Sequence, residues 1–386
     1  KVKWGKAAAT FKRIIDMNKY AIHTVPKIVN EKGTGTLPLP ETVSDANFPD
    51  GAGGIDPYKS YKTLFDGTYQ PELVKEYIYF SKNNGNYILV TPSKLGGISS
   101  FSVTLDMIDE YRMADGRPFS EATQAEKSWQ AVGQDKTFSS DYLLSGNRAH
   151  RDDGREPRFY ATIGFNACIW PTTSHRDGLS AGTRNYVTDY YYGGSASDMN
   201  NNDNRTRTGY TCRKYVHQDD CIFWNGVVKA KTYPIFRYAE VLLNAAEAIN
   251  EAEGPDNAYQ YVNEVRARVG MPPYSGMSQS QLRERIRNER RIELCFEDHR
   301  FFDERRWKLF ESKSAASEKN LPYYQQVYNL YGVAVTPGQS TVFNYGPAEM
   351  HQSRAFNSPK NYYFPIPDAE IKRLPNLGQN PGWEMQ

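Results

Sequence analysis

The sequence predicts a mainly α protein in which helical pairs carry a large, loop-rich irregular subdomain. Three observations lead to that class. Apolar residues recur at alternating steps of four and three near the start of the chain and again in its later part, the period of a helix with one packed face. Between roughly Val29 and Thr232 Gly and Pro interrupt the chain repeatedly, and Asn, Asp and Tyr dominate from Arg184 to Arg213. The 386 residues suffice to bury a sizeable core without disulfides or a structural metal.

In the first helix Trp4, Ala8, Phe11 and Ile15 form one stripe, and the helix is expected to end near Lys19. Short pieces at Tyr87–Thr91 and Phe159–Ile163 have the aromatic and β-branched content of strands. Tyr238, Leu242, Ala245 and Ile249 mark a second helix, and Ala258, Val262, Val265 and Val269 a third. The turn between them, Glu253-Gly-Pro-Asp256, places Gly where a helix ends, Pro where it cannot continue, and Asp256 where it can cap the next. A two-helix unit of this size, with small Ala on its inner face, has the dimensions of a tetratricopeptide-like repeat, and such units need stacked neighbours. A further helix opens on Ser278 and Gln281, spaced as a capping box, and runs through Leu282, Ile286, Ile292 and Phe296. After Ser312 the tail is rich in Tyr, Pro and Asn, with a short helical turn at Pro367–Arg373. The expected organisation is residues 1–28 as a helix of an N-terminal array, 29–232 as a loop-rich ligand-binding subdomain, 233–312 as tetratricopeptide-like helices, and 313–386 as an irregular tail packed back on them.

Composition excludes several functions. Forty-seven basic against forty-five acidic residues leave a formal charge of +2, too weak a field to hold nucleic acid non-specifically. Mean hydropathy is −0.71, and no apolar run approaches the roughly 20 residues of a membrane-spanning helix. Cys168, Cys212, Cys221 and Cys295 show neither CxxC nor Cys/His spacing, so a zinc site is not expected. Cys212 and Cys221 are near enough in sequence for a disulfide in an oxidising compartment. Aromatics are in surplus, with 28 Tyr, 18 Phe and 6 Trp.

The search for catalytic groups is nearly empty. Glu289, Glu293 and Glu297 recur every four residues on one helical face, a spacing that would suit carboxylate catalysis, but Arg stands three or four positions from most of them. From Gln281 to Lys308 nine Lys/Arg interleave with seven Asp/Glu, the pattern of an ion-pair lattice. Glu289 and Glu293 fall on the packed stripe, so Arg290, Arg291, Arg300 or Arg306 is expected to match them. Glu297, Asp298, His299 and Asp303 lack any metal motif, and Cys295 among Leu294, Phe296 and Ile292 has the setting of an inert thiol. No nucleophile elbow or phosphate-binding loop occurs. The oxygen-rich Asp198–Asn204 lacks EF-hand spacing; a solvated loop is expected there, and no cofactor, calcium being the one candidate.

Taken in order, Tyr233-Pro-Ile-Phe-Arg-Tyr-Ala-Glu-Val-Leu-Leu-Asn-Ala-Ala-Glu-Ala248, Ala258–Arg268 and Glu289-Arg-Arg-Ile-Glu-Leu-Cys-Phe-Glu-Asp-His-Arg-Phe-Phe-Asp-Glu-Arg-Arg-Trp307 closely resemble the C-terminal half of the SusD/RagB family of surface-exposed nutrient-binding lipoproteins of Bacteroidetes outer membranes. Arg155-Glu-Pro-Arg-Phe-Tyr160, the Asp115-Gly116 turn after Ile108–Tyr111, Tyr363–Pro367 and Gln379–Trp383 extend the resemblance over nearly the whole chain. Family members usually carry Gly at the place of Asp298 and Asn at that of Leu374. They begin with a lipidated Cys and several helical repeats, so Trp4 resembles a point already inside that array, and an N-terminal part is expected to be absent from this sequence.

The resemblance implies a non-catalytic protein that captures a glycan at the cell surface and passes it to a SusC-type TonB-dependent transporter, the lipid at its N-terminus anchoring it to the outer membrane. Peptide capture, as in the RagB branch, is the alternative, and a glycoside hydrolase a remoter one. Sugars stack their C–H faces on flat rings while polar side chains take the hydroxyls. The region before the Tyr-Ala-Glu helix, where the family builds its ligand platform, offers both. Trp170 and the run Asp189-Tyr190-Tyr191-Tyr192 supply rings, with Arg184, Asn185 and Asp189 beside them; Trp224 is a further candidate. Because so polar a stretch gives a core little to form around, some of these rings are expected to be exposed.

Overall fold

The computed structural model of the protein describes residues 1–26, 54–83, 87–132, 148–172, 184–190, 206–217, 219–220, 228–311, 330–337, 343–352, 355–374 and 376–383. Among these it is helix-rich, with short two-stranded ribbons. Helix α1 (Val2–Asp16) keeps the expected stripe, burying Ala8 and resting Phe11 and Ile15 on the core, while Trp4 stays exposed.

Helix α6 (Tyr238–Ala252) is the centre of the helical part. Eleven of its residues are buried, so it is apolar nearly all round, and Ala239, Ala245, Ala246 and Ala248 let neighbours approach closely. It packs against α1, α7 (Tyr259–Arg268) and α8 (Gln279–Glu293). Gly254 stops α6 at φ +109°, its N–H bonded to the Asn250 carbonyl at 3.1 Å. Asp256 does not cap α7: the helix starts two residues later from Ala258, and the Pro255 carbonyl receives the Ala258 and Tyr259 N–H groups instead. The Ser278/Gln281 capping box forms in both directions. Helix α8 ends at Glu293, so Phe296 lies beyond it, in left-handed backbone at φ +62°.

The second apolar cluster gathers α2 (Pro57–Lys62), β1 (Tyr77–Asn83), α3 (Tyr87–Val90), α4 (Leu105–Glu110), α5 (Pro157–Thr162), β2 (Ile163–Phe165), β3 (Ile169–Thr172) and β5 (Tyr210–Cys212), with β4 (Arg184–Val187) paired to β3. Both pieces with strand-like composition are helical here. Pro157 presets the first turn of α5, and the aromatic run that follows is buried on all sides, a setting where apolar content does not tell helix from strand. Strands β2 and β5 pair antiparallel, as do β3 and β4, and β1 pairs with β6 (Lys231–Arg237), which feeds directly into α6. Beyond α9 (Arg300–Arg306) the tail is more regular than expected, with a hairpin of β7 (Leu330–Pro337) and β8 (Phe343–Gln352) followed by α10 (Asp368–Arg373). It returns to the body through Phe356, stacked on Phe310 at 4.0 Å, and Phe364, stacked on Phe301 at 5.8 Å.

A charged layer runs where the two apolar clusters meet. Along α7 and α8, residues of the first cluster (Val265, Ile286) give way to residues of the second (Val269, Ile292), and Arg266, Arg268, Glu289 and Glu293 stand at the change. All four are buried.

Candidate functional site

The charged layer accounts for the glutamates that a catalytic reading would need. Arg237, at the end of β6, donates from Nη1 to Glu76 and Glu293 at 2.8 and 2.7 Å, and from Nε and Nη2 to both oxygens of Glu297. Arg268 takes Glu76 through Nη1 and Glu293 through Nη2. Arg158 on α5 bonds Glu156 at 2.8 Å and Glu293 at 2.9 Å and pairs with Glu289 at 2.7 Å; Arg266 also holds Glu289. Lys214 completes Glu297 at 2.6 Å. Burial pushes these carboxyls up, yet Arg268, Arg237 and Arg158 outweigh it at Glu293, and Arg158 with Arg266 at Glu289, so both sit below the ordinary carboxylate range. Glu297 is lowered likewise, by Arg237 and Lys214.

The expected partners are therefore wrong in identity. Arg290 instead bonds Asp303 and Asn244, Arg291 pairs with Asp106 and Glu110, Arg300 with Glu304, and Arg306 with Glu247 and Asp303. Helical periodicity showed that Glu289 and Glu293 are buried, but their cations come from α5, β6 and α7, distant in sequence. Among the described residues no cluster of His, Cys, Asp and Glu has the arrangement to hold a metal. Cys168, Cys212 and Cys295 are free, buried thiols; burial pushes Cys212 up to about 12 and Cys295 to about 11, so they are inert.

The candidate sugar site lies on the β3–β4 ribbon. Trp170 faces Tyr186 across it, Pro171 faces Asn185, and Thr172 faces Arg184. After β4 the chain returns beside β2: Thr188 donates to the Cys168 carbonyl at 3.0 Å, Ala167 donates to the Thr188 carbonyl at 2.8 Å, and the Tyr190 N–H reaches Asn166 Oδ1 at 2.9 Å. The structure thus brings Trp170, Arg184, Asn185, Asp189 and Tyr190 to one short ribbon. Some of the rings in this region were expected to be exposed, and two of them are not. Trp170 is 2% and Tyr190 5% exposed, both in the second apolar cluster. A Cβ on Gly164 would lie 2.9 Å from the Trp170 ring and 3.2 Å from the Tyr190 hydroxyl, so both side chains close over that glycine. Asp189 is half-buried. Tyr191, Tyr192, Trp224, Cys221 and the oxygen-rich segment 198–204 lie outside the described residues.

Sequence reasoning missed other rings. Tyr79 and Phe236 face each other across the β1–β6 ribbon, 61% and 53% exposed. Phe301, Phe302, Tyr363 and Phe364 form a second exposed group, with the Arg305 guanidinium 3.4 Å from the Phe301 ring centre. The alternation along β1 was the available signal for Tyr79.

Among the described residues, paired helices stand beside a part built of short helices and two-stranded ribbons, with buried and mutually neutralised charges at the seam. The family model of the SusD family matches residues 63–383, and the chain belongs to that family. It is 35% identical over 169 residues to SusD-like protein P2 of Formosa agariphila, a stretch covering 41% of this chain and 27% of that one. A solved SusD-like protein from Bacteroides fragilis is similar over 99% of this chain and 62% of its own length, at 25% identity and a TM-score of 0.67. A second B. fragilis structure, described as a SusD-like carbohydrate binding protein, shares the fold at 24% identity and a TM-score of 0.63 over 97% of this chain and 61% of that one. This chain thus spans less than two thirds of the length of these relatives.

Proposed function

We infer that the protein captures a glycan at the bacterial surface without cleaving it and passes it to a TonB-dependent transporter of the SusC type. Membership of the SusD family carries this reading. The closed ion pairs of Glu289, Glu293 and Glu297 support the non-catalytic part, because a general acid must hold a proton near neutral pH and these carboxyls are held ionised. No described helix is long and apolar enough to cross a membrane, which accords with attachment through a lipid on the full-length protein.

In this reading Arg184, Asn185 and Asp189 orient sugar hydroxyls, Tyr191, Tyr192 and Trp224 supply stacking faces, and Trp170 and Tyr190 form the floor that holds the ribbon. The test is calorimetric titration of the full-length protein with glycans selected on an array, in parallel with the Tyr191→Ala/Tyr192→Ala variant. A severalfold loss of affinity with unchanged melting supports the site, and wild-type affinity in that variant overturns it. Retention of peptides but of no glycan would favour the RagB-like alternative.

A further inference from the structure

Each buried arginine of the described residues has an acceptor for its guanidinium, with one exception. Arg158, Arg237, Arg266, Arg268, Arg290 and Arg291 meet carboxylates. Arg148 and Arg151 pair with Asp153 and Asp109; Arg155 is received by backbone carbonyls and Arg112 by Asn288 and the Gly116 carbonyl. Arg213 is 2% exposed, its Nη1 is buried without a hydrogen-bond partner, and no carboxylate pairs with it among the described residues. Its hydrogen bonds are made by the backbone, the N–H donating to the Thr162 carbonyl at 2.7 Å and the carbonyl accepting from the Lys62 ammonium.

The nearby charges are mixed: Lys62 lies beside the Arg213 carbonyl, and the carboxylate of Asp66 acts on Lys62. Lys62 is itself buried and donates only to the carbonyls of Arg213 and Lys214. The guanidinium of Arg213 lies over Trp170, 5.1 Å from the ring centre, and the Trp170 indole N–H meets no oxygen or nitrogen acceptor, only the Cys168 sulfur. A cation–π contact offsets part of the cost of burying a cation but leaves its donors unused. A guanidinium with an unused Nη1 over the face of Trp170, whose indole N–H has no oxygen acceptor, is the complement of one anionic oxygen-bearing group.

The geometry points to Arg213, with Trp170, as the anchor for an anionic substituent of the ligand, a carboxylate or a sulfate ester on an acidic saccharide. This rests on the glycan-binding reading and names the class of glycan. Shielded from bulk water, such a pairing is strong, and the planar guanidinium suits either oxyanion.

Two measurements test it. First, melting of the ligand-free protein: Arg213→Met raises the melting temperature because it removes an uncompensated buried charge, while Arg237→Met lowers it sharply. Sodium sulfate stabilises wild type more than it stabilises Arg213→Met, against a sodium chloride control that allows for general salt effects. A fall in melting for Arg213→Met comparable to that of Arg237→Met, or equal sulfate effects on wild type and Arg213→Met, overturns the inference. Second, titration with tetragalacturonate, a sulfated carrageenan tetrasaccharide and uncharged maltotetraose: at least one acidic probe binds wild type tenfold or more tighter than maltotetraose, and Arg213→Gln removes that preference. Which acidic probe binds distinguishes carboxylate from sulfate. Equal binding of charged and neutral probes overturns the inference and leaves glycan capture standing. Binding of no saccharide, with the Arg213-dependent sulfate effect intact, overturns glycan capture instead.

Discussion

Arg237 and Glu297 are joined by two hydrogen bonds, Nε to Oε2 at 2.7 Å and Nη2 to Oε1 at 2.9 Å, with both side chains buried. Arg237 ends the strand that enters α6, and Glu297 lies in the turn after α8; because Arg237 also holds Glu76 and Glu297 also accepts from Lys214, the pair fastens the helical part to the loop-rich part. The same guanidinium reaches Glu76 and Glu293, and the layer acts as one network in which removing any member strands the others.

Glu293→Ala is therefore expected to cost about 3–5 kcal/mol, since it leaves Arg158, Arg237 and Arg268 short of an acceptor in the core. Glycan affinity of the protein that still folds should be unaltered. Urea denaturation followed by circular dichroism measures the first, calorimetry the second.

The network also fixes the acid limit. Glu289, Glu293 and Glu297 have folded values below the ordinary carboxylate value of 4.5, so their contribution is complete above that pH and is lost as pH falls below it. Stability should drop steeply on acidification from about pH 5. A flat profile there would contradict the pairing.

Lys62 acts in the opposite range. Burial, the largest cause, pulls its ammonium from 10.5 down to about 7, so above pH 7 the unfolded chain binds a proton that the folded chain has released. Stability should rise between pH 7 and 10.5 from this group, and Lys62→Met should flatten that slope. Melting curves across the range decide it.

The family resemblance implies Gly where Asp298 stands, and the φ of +64° at Asp298 lies in the left-handed region that favours Gly. Asp tolerates the left-handed region better than most residues and is exposed here, so the substitution is borne. Asp298→Gly is expected to raise stability by up to about 1 kcal/mol, and Asp298→Val to lower it by about 2 kcal/mol. Phe296, also left-handed, adds to the tightness of this turn.

What the sequence made legible was the period-3.6 content: α1, α6, α7 and α8 stand where their stripes placed them, and Ser278 caps as its spacing required. Burial of Glu289 and Glu293 followed from the same stripe. Their partners did not, because Arg158 is 135 residues away from Glu293 along the chain and no local pattern encodes that meeting. The burial of Trp170 and Tyr190 was hidden for a related reason. The residues around Trp170 and Tyr190 are polar in sequence, but the core they enter is supplied by Ile163, Phe165, Tyr210 and Cys212 from β2 and β5.

The burial of Trp170 gives the last prediction. An exposed stacking ring can be truncated with loss of ligand and little loss of stability; a floor ring behaves the other way. Trp170 touches the space that a Gly164 side chain would need, and it has the Arg213 guanidinium on its face. Trp170→Ala should cost about 3–5 kcal/mol by opening a cavity in a close-packed cluster. Gly164→Ala should cost about 1–3 kcal/mol by forcing the Trp170 ring and Thr211 aside, since its Cβ would lie 2.9 Å from each. Because both changes displace the same ring, the double variant should cost less than the sum of the two, the missing indole leaving room for the new methyl. Chemical denaturation of the three variants measures that coupling. Additive costs would mean that the ring and the glycine do not share the space, and wild-type stability of Trp170→Ala would return the indole to the surface, among the rings that stack on ligand.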